Sequence, residues 1–422
     1  MASEPSTSTS EIQTDTTEPS QLEGTILNLI VAGIVGGFAI SVDHLYAWYR
    51  NSHNESLLNE TLEKGTQPDV GISEDKLVPR PVIVERLKKI LLPHEDQSNY
   101  YVICGEHGTG KTTLTRIASR EVGQNKKKGI QGGRGVIYVD IPADIEAFGE
   151  AFGKALNFTF EERISVTAQL RKKLLGDTNY EFKPKWKRAM KAFKRASAVY
   201  KKNNPCHQPS VIVYDNINCL VHKYPEIIDI LQDDAKDNAD DRKYIAVFVS
   251  SEDSVLRRME SRSSAWSRAK KPVIEIGDLS KEESMKYLTE KRKINEVDAK
   301  NIYELVGGRI VDLKTVADDF LAKQPFEVIK RQILMEVEEK FNTAQLLQKQ
   351  LHHEVGKKAI RALLDSKELS FTTFKEFFNN YEEASKVLET NIFAYHPEKN
   401  TVSFQSQSVK CYIQEKADIF IK

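Results

Sequence analysis

Apolar and polar positions follow different rhythms in successive parts of the chain. Residues Met1 to Glu23 are rich in Ser, Thr, Glu and Pro and carry no Lys or Arg. Such a segment buries too little apolar surface to offset its ordering entropy, and it reads as a disordered tail (1–23). Thr25 to Val42 is uncharged and mostly apolar. As a helix it would span roughly 27 Å, close to the hydrocarbon thickness of a bilayer. Tyr46, Trp48 and Tyr49 follow as interfacial anchors, with Arg50 beyond them, and Gly33 and Gly37 form a G-x-x-x-G face. The segment 24–49 is therefore expected to be a single transmembrane helix. A buried core helix and an uncleaved signal sequence are the alternatives. Residues 50–75 read as a polar linker, and Val82 to Leu92 as an amphipathic helix.

Beyond that helix, short apolar runs alternate with helical patterns. Tyr100–Cys104, Val136–Asp140, Ser210–Asp215, Tyr244–Ser251 and Val273–Ile276 read as buried strands. Strands separated by helices predict an α/β core (76–280) with a five-stranded parallel sheet and right-handed crossovers. From Lys281 the strand pattern stops. Glu282–Lys291, Val297–Val306 and Asp312–Leu321 read as short amphipathic helices, broken at Gly307-Gly308, and form a helical lid (281–325). Phe326–Leu364 reads as a longer helical region, and Phe371–Leu388 as two short helices. Ile392–Tyr395 and Thr401–Phe404 flank a Pro-Glu-Lys-Asn turn as a hairpin, giving a winged-helix-like end (326–422).

Composition narrows this little. The chain has 422 residues and a formal net charge of zero, so charge alone points to no polyanionic partner. Cys104, Cys206, Cys219 and Cys411 are scattered without a C-x-x-C pair, which argues against a zinc site and a disulfide framework. No basic or Arg-rich leader precedes the apolar run. Arg50 and Lys64 on its C-terminal flank put the larger part of the chain on the cytosolic side. Sequons at Asn54 and Asn59 would favour the opposite orientation.

The most specific chemistry lies in Gly105-Glu106-His107-Gly108-Thr109-Gly110-Lys111-Thr112, followed by Thr113. This is G-x-x-x-x-G-K-[ST] between a strand and a helix. Glycines let backbone N–H groups turn inward onto phosphate oxygens, and the helix N-terminus adds to that field. Lys111 can reach β- and γ-phosphates, and the Thr112 hydroxyl can ligate Mg²⁺. ATP and Mg²⁺ are the expected ligands. Asp215, ending a buried strand beside the loop strand, is the expected second Mg²⁺ residue. The next residue, Asn216, cannot accept a proton from water, so slow hydrolysis is expected unless Asp140 or Glu252 substitutes. Lys183–Lys202 holds nine Lys or Arg residues interleaved with Trp186, Phe193 and Tyr200. The aromatics fall on one helical face with Ala189, Met190 and Ala196, which favours a core stripe with a solvated basic back over a nucleic-acid surface.

The phosphate loop, the Val211–Asp215 strand, the polar strand end at Ser250-Ser251 and Gly307-Gly308-Arg309 together resemble STAND and archaeal-type AAA+-related ATPases. These belong to the additional-strand class of P-loop NTPases, and the likeness runs from Lys76 to the C-terminus. It implies that Ser250, or more weakly Ser251, senses the γ-phosphate. It also implies that Arg309 reports nucleotide state from the lid, and that Arg257, Arg258, Arg262 or Arg268 could reach a neighbouring subunit. In such proteins a Glu commonly stands where Asn216 stands here. A membrane helix before the module, with Asp312-Leu313 after Gly-Gly-Arg, is also similar to the mitochondrial escape protein family of inner-membrane proteins. The resemblance implies a nucleotide-driven switch with a protein partner or homo-oligomer. A nucleic-acid-binding or scaffold module is the alternative.

Overall fold

The computed structural model describes residues 19–73, 76–124, 132–160 and 183–421, with backbone alone for 19–40. The expected tail lies outside the described residues up to residue 18, and so do the side chains of the apolar run up to residue 40. The first helix, α1 (Pro19–Lys64), is continuous. Among the described residues no helix is long and apolar enough to cross a membrane. Past the apolar run, Leu45, Tyr46, Trp48 and Tyr49 are exposed.

Of the described residues, those up to Asn54 form one compact unit and those from Glu55 onward another. The stretch expected to be a polar linker (50–75) is different in the structure. Residues 51–64 are helical, and Leu58 and Leu62 are completely buried in the main core. Their four-residue spacing puts both on one helical face. Gly65 ends the helix at φ 70°, where its Cα lies too close to the Gly133 carbonyl to carry a Cβ. From there Thr66 donates from its backbone N–H to Val136 at 2.9 Å, and the Gln67 side chain to the Gly132 carbonyl at 2.9 Å.

The main sheet is built from β1 (Tyr101–Cys104), β2 (Val136–Asp140), β3 (Ser210–Asp215), β4 (Tyr244–Val249) and β5 (Ile274–Glu275), all parallel, in the order β2-β3-β4-β1-β5. The expected five-stranded parallel sheet is present. One detail differs: β4 lies between the loop strand β1 and the Asp215 strand β3, so these two are not neighbours. Sequence order alone did not reveal which strand is inserted. Side chains alternate between the faces, Ile212 and Tyr214 packing on one side and Val211 and Val213 on the other. Helices cover both faces, which is why the strands read as continuous apolar runs. α2 (Pro81–Ile90) and α3 (Lys111–Glu121) cover one side. α4 (Ile145–Ala155) and α5 (Lys185–Asn203) cover the other. In α5, Trp186, Ala189, Met190, Phe193, Ala196 and Tyr200 are all buried, so the aromatic stripe is core. Several of its basic residues are paired instead, Lys185 with Glu150 at 2.8 Å and Arg195 with Glu55 at 2.5 Å.

The helices α6 (Pro225–Asp240), α7 (Asp253–Ser261) and α8 (Ser263–Trp266) complete this core. The lid follows as α9 (Lys281–Lys286), a π-helical turn at Tyr287–Lys291, α10 (Glu296–Val306) and α11 (Ile310–Leu321). Ser280 and Glu283 form a reciprocal capping box that starts it. The longer helical region expected over Phe326–Leu364 consists of two helices, α12 (Phe326–Thr343) and α13 (His353–Ser366). Gln345 at φ 56° and Lys349 at φ 67° lie in the break between them. α12 belongs to two cores: Ile329 packs with the lid, while Leu334, Val337 and Phe341 join the large cluster that reaches the sheet. The chain closes with β6 (Leu369–Ser370), α14 (Phe371–Glu376), α15 (Tyr381–Glu389), β7 (Phe393–His396), β8 (Thr401–Phe404), α16 (Gln407–Glu415) and α17 (Ala417–Phe420). β7 and β8 pair antiparallel as the expected hairpin, with β6 added to β8.

Candidate nucleotide site

The phosphate loop runs from the carboxyl end of β1 to the start of α3, the position in an open α/β sheet where ligands bind. Its glycines are required by geometry. Gly105 has φ 138°, and a Cβ there would sit 2.3 Å from the Ile276 carbonyl oxygen. Gly110 caps α3 at φ 91°. Lys111 is only 4% exposed, and its ammonium donates to the Glu106 carbonyl at 2.6 Å. Burial pushes that ammonium down to about 8, partly offset by Glu106. A buried cation served mainly by neutral oxygens is a strong anion seeker. Burial, and then Lys111, also lower the His107 imidazole.

Asp215 is 1% exposed and is surrounded by hydrogen-bond donors. It accepts from the Asn216 backbone at 2.9 Å and from the Tyr138 phenol, and the Thr112 hydroxyl lies close enough to favour its charged form. Burial raises its carboxyl, and these three donors pull it back. Thr112 and Asp215 are thus adjacent oxygen donors beside the loop, a set that fits Mg²⁺ bound jointly with phosphates. Among the described residues no group of three or more His, Cys, Asp or Glu could hold a metal unaided. The protein's own donors suit a nucleotide-borne Mg²⁺ better than a resident metal.

Asn216 adopts the left-handed conformation at φ 58°, and its amide donates to Asp140 at 2.7 Å. The other Asp140 oxygen pairs with Arg116 at 2.7 Å. Glu252 accepts from Asn218 at 3.3 Å and from Ser254 at 3.2 Å. Ser250 is buried at the end of β4, bound through its hydroxyl to the Glu252 backbone, and Ser251 donates its N–H to Asn218. Arg257, Arg258, Arg262 and Arg268 all form ion pairs within this chain, with Glu389, Asp229, Asp229 with Asp233, and Asp240 respectively.

Arg309 is no surface residue. It is 4% exposed and grips Asp278 at 2.6 Å, the His107 carbonyl at 3.1 Å and the Gln405 carbonyl at 2.9 Å. Burial works against its charge, but Asp278 more than restores it. Lid, phosphate loop and C-terminal hairpin therefore meet on one guanidinium. The Gln405 amide adds a bond to the Glu106 carboxylate at 3.3 Å, and the Val311 N–H one to the Gly108 carbonyl at 3.3 Å. At the foot of the site, Ile72, Leu77, Val78, Leu114, Leu279 and Ile310 line a small apolar cleft against Gly110 and Thr113. Sequence reasoning missed Tyr138, Arg116, Asp278 and Gln405. Tyr138 left a trace, a phenol in an otherwise apolar strand, which must find a partner when buried. Gln405 left none, lying 299 residues from Glu106.

A phosphate loop on this sheet defines a P-loop ATPase core, and the family model of an ATPase domain predominantly from Archaea matches residues 80–316. That is more than half of the chain, and the chain belongs to this family. Among solved structures it is similar to the Walker-type ATPase PABY2304 of Pyrococcus abyssi, at 14% identity and a TM-score of 0.49 over 84% of this chain and 99% of that one. It is also similar to the ORC2 protein of Aeropyrum pernix, seen in ADPNP–ADP complexes, at 14% identity and a TM-score of 0.43 over 83% and 98%. The Cdc6p of Pyrobaculum aerophilum is similar at 15% identity and a TM-score of 0.41 over 82% and 99%. No curated protein matches the chain.

Proposed function

We propose that this protein is a membrane-anchored ATP-binding switch of the AAA+/STAND type, in which binding of ATP–Mg²⁺ sets the conformation and hydrolysis is slow or partner-stimulated. The observation that carries the reading is the convergence on one loop of Lys111, Thr112 with Asp215, and the lid Arg309. Asn216 stands without a proton-accepting group, turned toward Asp140. Bound Mg²⁺ would neutralise phosphate charge, with Thr112 and Asp215 as its protein partners. On binding, Lys111 would exchange the Glu106 carbonyl for phosphate oxygens. Ser250 and Arg309 would read the occupied loop, and the lid would respond because ATP binds one arrangement better than the other.

The apolar run Thr25–Val42 and the exposed Tyr46, Trp48 and Tyr49 support the anchor, with the ATPase part on the cytosolic side. Gly307-Gly308-Arg309 with Asp312-Leu313 supports a kinship to the mitochondrial escape family, and so a mitochondrial membrane as one setting. A protein partner or a second copy would be the object of the switch. The test uses the full chain in detergent micelles. Wild type should bind ATP–Mg²⁺ and Lys111→Ala should not, while Asn216→Glu should raise turnover by about 10²–10⁴-fold, the usual reach of a positioned base. Absence of binding by the wild type, or fast wild-type turnover, would sink the reading.

A further inference from the structure

Arg116, Tyr138 and Asp215 form a hydrogen-bond chain whose direction is chemically determined. Arg116 has donors only, and its Nε donates to the Tyr138 phenol oxygen at 3.1 Å. The phenol cannot return that bond, so its single proton is committed to Asp215, which it meets through Oδ2. The other Asp215 oxygen takes the Asn216 N–H. Tyr138 is 4% exposed and Asp215 1%, so neither can exchange its partner for bulk water. The register explains the reach: Asp140 lies opposite Asp215 and Tyr138 opposite Val213, and the long phenol spans the diagonal. Arg116 is held in turn by Asp140 at 2.7 Å and by the Asp69 carbonyl at 3.1 Å, and its guanidinium lies over the Tyr138 ring.

We propose that Tyr138 is a positioning residue for the Mg²⁺ site, holding the Asp215 carboxylate in the orientation that faces Thr112 while Arg116 keeps the phenol proton turned toward it. The proposal rests on the nucleotide-binding reading above. It adds a residue on β2, a strand separated from the phosphate-loop strand by β3 and β4. Without the phenol a buried carboxylate would lose a charge-assisted bond and turn to another rotamer, and the pair with Thr112 would be lost.

The test is a titration of full-length protein with a fluorescent mant-ATP, in Mg²⁺ and again in EDTA. Wild type should bind more tightly in Mg²⁺. Tyr138→Phe should lose about 10- to 100-fold in apparent Mg²⁺ affinity, the usual effect of removing a partner of a metal ligand. Its EDTA affinity should stay that of the wild type, which a merely structural role would not spare. Equal losses in both buffers, or no loss in either, would overturn the proposal. Arg116→Met keeps the stem over the ring and removes the donor. It should show the same Mg²⁺-selective loss to a smaller degree, and it serves alone should Tyr138→Phe not fold. An unchanged Mg²⁺ response in that variant would also count against the proposal. A wild type that binds mant-ATP with no gain from Mg²⁺ overturns this inference alone, whereas one that binds none overturns the functional reading as well.

Discussion

At the residue scale, chemistry and position are separable in this site. Lys111 and Thr112 could be given candidate roles from spacing because the phosphate loop is local: its glycines, lysine and threonine lie within eight consecutive residues. Asp253 could not. It stands at the start of α7, half-buried, where burial and then the neighbouring Glu106 carboxylate push its carboxyl up to about 7, against the pull of Arg257, the Tyr395 backbone and His396. A carboxyl whose folded pKa is raised stabilises fully below its unfolded value and loses that contribution as pH rises through the folded one. Asp253→Asn should therefore gain stability relative to wild type as pH rises from about 4 to about 7, and hold the gain above that. Thermal unfolding at several pH values checks it. A difference that does not change with pH, or changes with the opposite sign, contradicts the assignment.

At the element scale, the informative case is the end of α1. Residues 51–64 are polar on most positions, and only Leu57, Leu58 and Leu62 interrupt them. Burial of Leu58 and Leu62 makes this stretch part of the ATPase core instead of a tether. A fragment starting at Lys76 would leave that surface bare, at about 2–5 kcal/mol for each buried leucine removed. A fragment starting at Glu55 keeps it. The Glu55 fragment should unfold at clearly higher denaturant concentration than the Lys76 fragment, and equal midpoints would show that the helix end is dispensable.

At the scale of the whole molecule, lid and C-terminal region are fastened to the ATPase core by shared packing and by a few polar bonds. α12 joins two apolar clusters, Arg309 joins three segments, and His396 on β7 binds Glu275 on β5 at 2.6 Å. Burial works against the His396 charge, but the bond to Glu275 raises it overall. α12, packed in both clusters, couples their unfolding. Calorimetry should show residues from Glu55 onward melting in one transition. Saturating ATP–Mg²⁺ should move it upward as a whole, by about 2.7 kcal/mol at a hundredfold excess over Kd. Two resolved transitions, or a shift of only part of the signal, would contradict this.

What the sequence determined by itself was local or periodic. Buried parallel strands announce themselves as apolar runs, amphipathic helices by their repeat, and the phosphate loop by its glycines, because in each case the physical cause acts within a few residues. The aromatic stripe of α5 could be assigned to the core for the same reason. Tertiary structure alone decided which strand separates β1 from β3, that a polar-looking stretch at the end of α1 enters the core, and that Tyr138, Asp278 and Gln405 attend the site. Strand order and side-chain partners depend on closing long stretches of chain, 77 residues between Tyr138 and Asp215 and 299 between Glu106 and Gln405. No periodicity encodes such pairings, because the energy that selects them comes from packing and desolvation in the completed core.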